Sequence, residues 1–138
     1  MDTASIKVGM SLEAEQIVTA ERTAPHIGSG TLRVYATPAM GMLVEETCCS
    51  LVDPLLPDGK TTVGTEIHLH HLAPSPAGER VMIRVEVIAV DGNAITFEAQ
   101  LLDDHEPIGK ARHSRVVVDI ERFMKRVLAK SNASTDEE

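Results

Sequence analysis

Aromatic side chains are nearly missing from this 138-residue chain: it has no tryptophan, one tyrosine and two phenylalanines. Any core must therefore be built from Val, Ile, Leu, Met and Ala, and the length suits one such core in one domain. The same scarcity excludes the stacking platforms that hold single-stranded nucleic acids. Positive charge is also short. Lys and Arg number 13 against 21 Asp and Glu, a net charge of −8, so no broad basic face can meet a phosphate backbone. An anionic small molecule held by a few local cations remains compatible with this balance.

No hydrophobic run reaches the length that spans a bilayer, and the first residues lack the basic-then-apolar order of a secretory signal. The expectation is a cytoplasmic protein with no membrane partner. The only cysteines are the neighbours Cys48 and Cys49. On a helix they diverge by about 100°, so they do not bond each other and read as small buried hydrophobes in a reducing compartment. No C-x-x-C spacing suggests zinc.

What the chain does have is clear punctuation. Residues 1–9 read as a lead-in and 11–22 as a strand, although their apolar positions also fit a helix. Residues 24–30 are turn-forming and 31–36 are extended. Thr37-Pro38 starts a helix, with Thr as N-cap and Pro at the first helical position. Asp53-Pro54 ends it, because the residue before Pro resists helical geometry. Residues 61–72, 81–90, 94–102 and 108–118 alternate as strands, with Asp91-Gly92-Asn93 as a hairpin turn. Residues 120–130 form a short amphipathic helix, and 131–138 read as a disordered polar tail. The order predicts one domain over residues 1–130: a strand, a long helix, then four strands in a meander, the antiparallel sheet wrapping the helix.

The helix is apolar nearly all the way round, which predicts burial. Glu46, Ser50 and Asp53 fall at i, i+4 and i+7 and form a narrow solvated stripe. Glu45 lies to one side with Met42, Cys48 and Cys49. A carboxylate there is costly unless paired or hydrogen-bonded, which makes Glu45 a candidate for chemistry; the competing reading puts it on the same wet edge as Glu46. Alternation in the first strand after the helix places Val63, Thr65, Ile67, Leu69 and His71 on the helix side, and Thr62, Glu66, His68 and His70 on the other. His68 and His70 share a face, but no carboxylate or thiol completes a zinc set. His71 then faces the helix from the end of its strand.

These residues carry a resemblance. Thr37-Pro-Ala-Met40, Glu45 eight positions after Thr37, Val63-Gly-Thr-Glu-Ile-His-Leu-His-His71, Ile108-Gly-Lys-Ala-Arg-His-Ser-Arg115 and Glu121-Arg-Phe123 resemble the hotdog-fold acyl-CoA thioesterases. Within them they resemble the fluoroacetyl-CoA thioesterase type, over about residues 7–127. The resemblance implies an α+β hotdog fold, with one sheet wrapped round a central helix, and a homodimer with sheets joined edge to edge and active sites between protomers. It implies hydrolysis of a small acyl-CoA to free acid and coenzyme A, with no cofactor other than the coenzyme A of the substrate. Thr37, Glu45 and His71 are then the catalytic set, and Gly64 and Arg115 line the site.

Glu45 would be general base or nucleophile. His71 would polarise the carbonyl or protonate the leaving thiolate, and Thr37 would hydrogen-bond Glu45 or substrate. Arg80, Arg84, Lys110 and Arg112 are candidate partners for the coenzyme phosphates. The resemblance fails in the segment before Thr37. Residues 24–36 hold no Phe, only Tyr35, so the phenylalanine lid of the fluoroacetyl-specific type is not reproduced. The alternative function is a binding module that holds an acyl thioester or other small ligand without cleaving it.

Overall fold

The computed structural model describes residues 3–136, with side chains through residue 131. Five strands make one antiparallel sheet: β1 (Ser11–Ile17), β2 (Lys60–His71), β3 (Arg80–Asp91), β4 (Ala94–Leu102) and β5 (Pro107–Asp119). The one-turn helix α1 (Ala24–Ile27) and the long helix α2 (Thr37–Val52) lie between β1 and β2, and α3 (Ile120–Asp136) follows β5. The sheet order is β1-β3-β4-β5-β2. Alternation in β4 turns Ile95, Phe97, Ala99 and Leu101 inward, and all four are buried, as are Val81, Ile83, Val85 and Val87 of β3. They receive Met40, Val44, Cys48 and Val52 of α2, each 0% exposed. Burying one such side chain contributes about 1.5–3 kcal/mol, so the helix is held by its apolar stripe.

The expected four-strand meander is only partly present. β3, β4 and β5 form it, but β2 pairs with β5 and not with β3. A hairpin needs a short turn, whereas residues 72–79 hold Pro74 and Pro76 and cross the sheet instead. They are tied down on the way by bonds from Leu72 N to Ile108 O (2.8 Å), Tyr35 N to Ser75 O (2.8 Å) and Val18 N to Glu79 O (2.9 Å). β1 and β2 are therefore the two sheet edges.

The C-terminal helix also departs from expectation, running on to Asp136 where a polar tail from residue 131 was expected; residues 137–138 of that tail lie outside the described residues. No helix among the described residues is long and apolar enough to cross a membrane.

Candidate active site

Helix α2 lies along β2 with opposite polarity. Thr37 at its start meets His71 at the end of β2. Gly41 comes next, where an added Cβ would lie 3.9 Å from both Ile67 and Leu69. Glu45 follows opposite Gly64. At the far end Asp53 accepts a 2.6 Å hydrogen bond from Thr62 Oγ1, so Asp53 anchors the helix and is no member of a solvated stripe.

Thr37 is not the N-cap that the sequence suggests. The cap position is Ala36, and Thr37 is already helical. Its hydroxyl is thereby released from capping and lies 2.8 Å from His71 Nδ1. Tyr35, 1% exposed, meets the His71 ring edge-on, with centroids 6.4 Å apart, and its hydroxyl donates to Gln16 Oε1 at 2.6 Å. Tyr35 is thus a wall of the histidine pocket and not part of any lid. His71 Nε2 is buried with no hydrogen-bond partner. Burial holds the His71 pKa below the usual histidine value, and the Ala73 backbone offsets only part of this. The ring is neutral at pH 7 and has one nitrogen uncommitted.

Glu45 is half-buried rather than enclosed, and its neighbour Met42 on α2 is 56% exposed. No hydrogen bond or ion pair engages its carboxylate among the described residues. Glu46 is exposed, as its place on the wet edge predicts. A Cβ on Gly64 would lie 2.8 Å from Glu45 Oε1, 3.2 Å from Arg115 Nη1 and 3.2 Å from His113 Cε1. Three polar side chains thus converge on the space left by one missing methyl group.

Arg115 is 7% exposed. Its Nε donates to Thr62 Oγ1 (2.8 Å), its Nη2 to Thr62 O (3.1 Å) and its Nη1 to His113 Nε2 (3.1 Å). His113, 1% exposed, stacks on Phe97 and donates from Nδ1 to Glu66 O at 2.7 Å. With that proton on Nδ1, Nε2 is the acceptor for Arg115. Burial first, and the adjacent guanidinium, hold the His113 pKa below the ordinary value. Burial likewise pushes the Cys48 thiol up to about 12, and Cys48 and Cys49 are unbonded.

Simple alternation misplaces part of β2. The ladder with β5 slips between Gly64 and Glu66. Downstream of this bulge Ile67, Leu69 and His71 face α2 as expected. Upstream the parity is reversed, so Thr62 turns inward, 5% exposed, and Gly64 lies beneath Glu45. A second slip between Val87 and Ala89 leaves Ala89 exposed, against its place in the apolar series. The inserted residue is what flips the faces.

The structure thus forms two groups. Thr37 and His71 are together; Glu45, Gly64 and Arg115 are together with His113 and Thr62. The two groups are separated along α2 by eight residues, or about 12 Å. A cleft of about 500 Å³ between α2 and β1 is lined by Glu46, Thr47 and Ser50 and does not include Glu45.

Residues 18–121 match the family described as fluoroacetyl-CoA-specific thioesterase. The chain belongs to this family. It is 32% identical over 100 residues to a fluoroacetyl-CoA thioesterase of Streptantibioticus cattleyicolor, covering 72% of each chain. A solved fluoroacetyl-CoA thioesterase superposes with a TM-score of 0.86 at 27% identity, over 91% of this chain and 97% of the other. A hot-dog-like protein from Thermanaerovibrio acidaminovorans gives 0.88 at 27% identity, over 94% and 97%. The fold is the hotdog fold, and the chain is a thioester hydrolase by family.

Within this family frame, three of the four candidate phosphate cations are already paired: Arg80 with Glu15 and Asp104, Arg84 with Glu86, and Arg112 with Glu98. Lys110 lines a shallow cleft on the outer sheet face beside His68 and His70. No group of His, Cys, Asp and Glu suited to a metal ion occurs among the described residues. The sequence reading passed over His113 and Thr62. The inward series Ala111, His113, Arg115 and Val117 on β5 was the available signal for His113. For Thr62 the signal was Gly64 within a strand, which marks a bulge.

Proposed function

We propose that the protein hydrolyses a small acyl-CoA thioester to the free acid and coenzyme A, at a site completed by a second copy of the chain. The observation that carries this reading is the separation of Thr37 and His71 from Glu45 along an unpaired sheet edge. β2 bonds β5 on one side only. Exposed Met42 and Ile67 (39% exposed) flank its other side. An antiparallel partner laid on that edge, with strands about 4.8 Å apart, brings the His71 end of one β2 against the Gly64 end of the other. It also satisfies the edge and covers the apolar flank. A solved relative described as a fluoroacetyl-CoA-specific thioesterase binds fluoroacetate and CoA, which supports the acyl-CoA substrate class.

In this homodimer Glu45 activates water, or attacks the thioester carbonyl directly, with neutral His71 of the partner subunit opposite it. When Thr37 donates to Nδ1 of His71, Nε2 carries the proton and can donate to the carbonyl oxygen or the departing sulfur. The first turn of α2 offers N–H groups without intrahelical partners to the developing oxyanion. Gly64 gives the acyl group room, and Arg115 stands beside it.

Free-thiol release from a panel of short acyl-CoAs tests this. Glu45→Gln and His71→Ala are each expected to lose at least about 10²-fold in kcat/KM. Wild-type turnover by both variants overturns the assignment. Thermal stabilisation by acyl-CoA without thiol release identifies a binding module instead.

A further inference from the structure

A guanidinium and a carboxylate face the same vacancy at Gly64 without forming an ion pair. Arg115 is nearly fully buried and has no carboxylate within ion-pair distance among the described residues. Such a cation is costly to bury unpaired; Asp53 reaches it only through Thr62 Oγ1, and Glu45 faces it across the space at Gly64. What prevents a pair with Glu45 is visible in the geometry. Nε and Nη2 are fixed on Thr62 Oγ1 and O, and Nη1 on the His113 Nε2 lone pair. His113 can offer that lone pair only because its proton is committed to Glu66 O at the bulge, and the stack on Phe97 fixes the ring plane.

We propose that His113, with Thr62, is a positioning residue that holds Arg115 away from Glu45 and so keeps the carboxylate available as a base. This rests on the reading of Glu45 as base or nucleophile. The groups facing Glu45 are His113 and Arg115 from β5, and Cys48 and Cys49 from its own helix. Of these only Arg115 carries a fixed charge, so its position decides the local field. Released from His113, the guanidinium swings onto Glu45. The resulting pair stabilises the anion and weakens it as a base. The bulge in β2 has a second use in this arrangement: it turns Thr62 inward and presents the Glu66 carbonyl that sets the His113 tautomer.

Two side chains separate the two bonds of His113. Asn at 113 keeps a donor near Nδ1 for Glu66 O but loses the acceptor for Arg115; Gln keeps an acceptor near Nε2 but loses the donor. The readout is the pH profile of kcat/KM for an active acyl-CoA, with thermal stability measured in parallel. His113→Asn is expected to move the acid limb about one pH unit towards acid and to lower the plateau about tenfold. His113→Gln is expected to keep the limb in place. The double variant His113→Asn/Arg115→Met returns the limb to its wild-type position or above. If His113→Asn does not fold, Thr62→Val, which removes the acceptor for Arg115 Nε and the donor to Asp53, is expected to move the limb the same way, with Asp53→Asn as the control for the lost helix anchor. Loss of stability or rate with an unmoved acid limb in His113→Asn or Thr62→Val, while Glu45→Gln is inactive, overturns the positioning role and leaves Glu45 as assigned. Wild-type turnover by Glu45→Gln overturns the assignment of Glu45 and this inference with it.

Discussion

The Cβ that Gly64 lacks is the most demanding detail at the scale of single residues. Gly64→Ala would put a methyl group 2.8 Å from Glu45 Oε1. Glu45 can yield because its carboxylate is the mobile end of a half-buried side chain, and Arg115 Nη1 and His113 Cε1, each 3.2 Å from that methyl, need give only a few tenths of an ångström, so the fold survives and the carboxylate is displaced. The expected outcome is a fall of about 10²-fold in kcat/KM with little change in Tm, checked by thiol release and thermal melting on one preparation. A large fall in Tm would show that the methyl group is resisted by the buried Arg115 and His113 and not accommodated by Glu45. His71 illustrates the opposite case. Its partner hydroxyl was visible in the sequence, but Thr37 also fits an N-cap perfectly well. Only the one-residue shift of the helix start to Thr37, with Ala36 as cap, separates the two roles.

At the scale of elements, one carboxylate ties the connection from β2 to β3 to the turn between β4 and β5. Asp103, 6% exposed, accepts from Ser75 Oγ (2.8 Å), His105 N (2.8 Å) and Glu106 N (2.9 Å). Burial raises its pKa, but the three donors together outweigh this and the net direction is down. A depressed folded pKa contributes stability that is complete above the unfolded value near 3.9 and is lost as pH falls through the folded value. Asp103→Ala is expected to cost about 2 kcal/mol at pH 7, because it leaves the buried Ser75 hydroxyl unpartnered. It should also flatten the acid arm of stability below about pH 4. Urea unfolding from pH 3 to 7 checks both; an unchanged acid arm removes Asp103 from that dependence.

The same scale shows how far the sequence could be read. Strongly patterned β4 and the span of α2 from Thr37 to Val52 were legible, the one through its alternation and the other through the Pro38 start and the Asp53-Pro54 stop, although the cap itself was misplaced by one residue. The bulges at Gly64/Glu66 and Val87/Ala89 were not, because one inserted residue reverses the faces on one side of it relative to the other while leaving composition unchanged. Strand order was also hidden. Nothing in a linear alternation says that β2 pairs with β5 and not with β3. His113 is hard to single out because its polar neighbours Arg112 and Ser114 interrupt the inward series Ala111, His113, Arg115 and Val117.

At the scale of the whole molecule, the proposed dimer leaves neither chain with a finished site of its own. One end of the α2–β2 flank carries Thr37 and His71; the other carries Glu45, Gly64 and Arg115. Their spacing of about 12 Å along the helix has a consequence for mixtures. Glu45→Gln and His71→Ala, both expected to be inactive, each lack a different half. When they are unfolded together and refolded, half the dimers are hybrids at random assortment, and each hybrid unites one intact glutamate with one intact histidine. The mixture should then recover about a quarter of the wild-type rate from two dead parents, while either parent refolded alone stays silent.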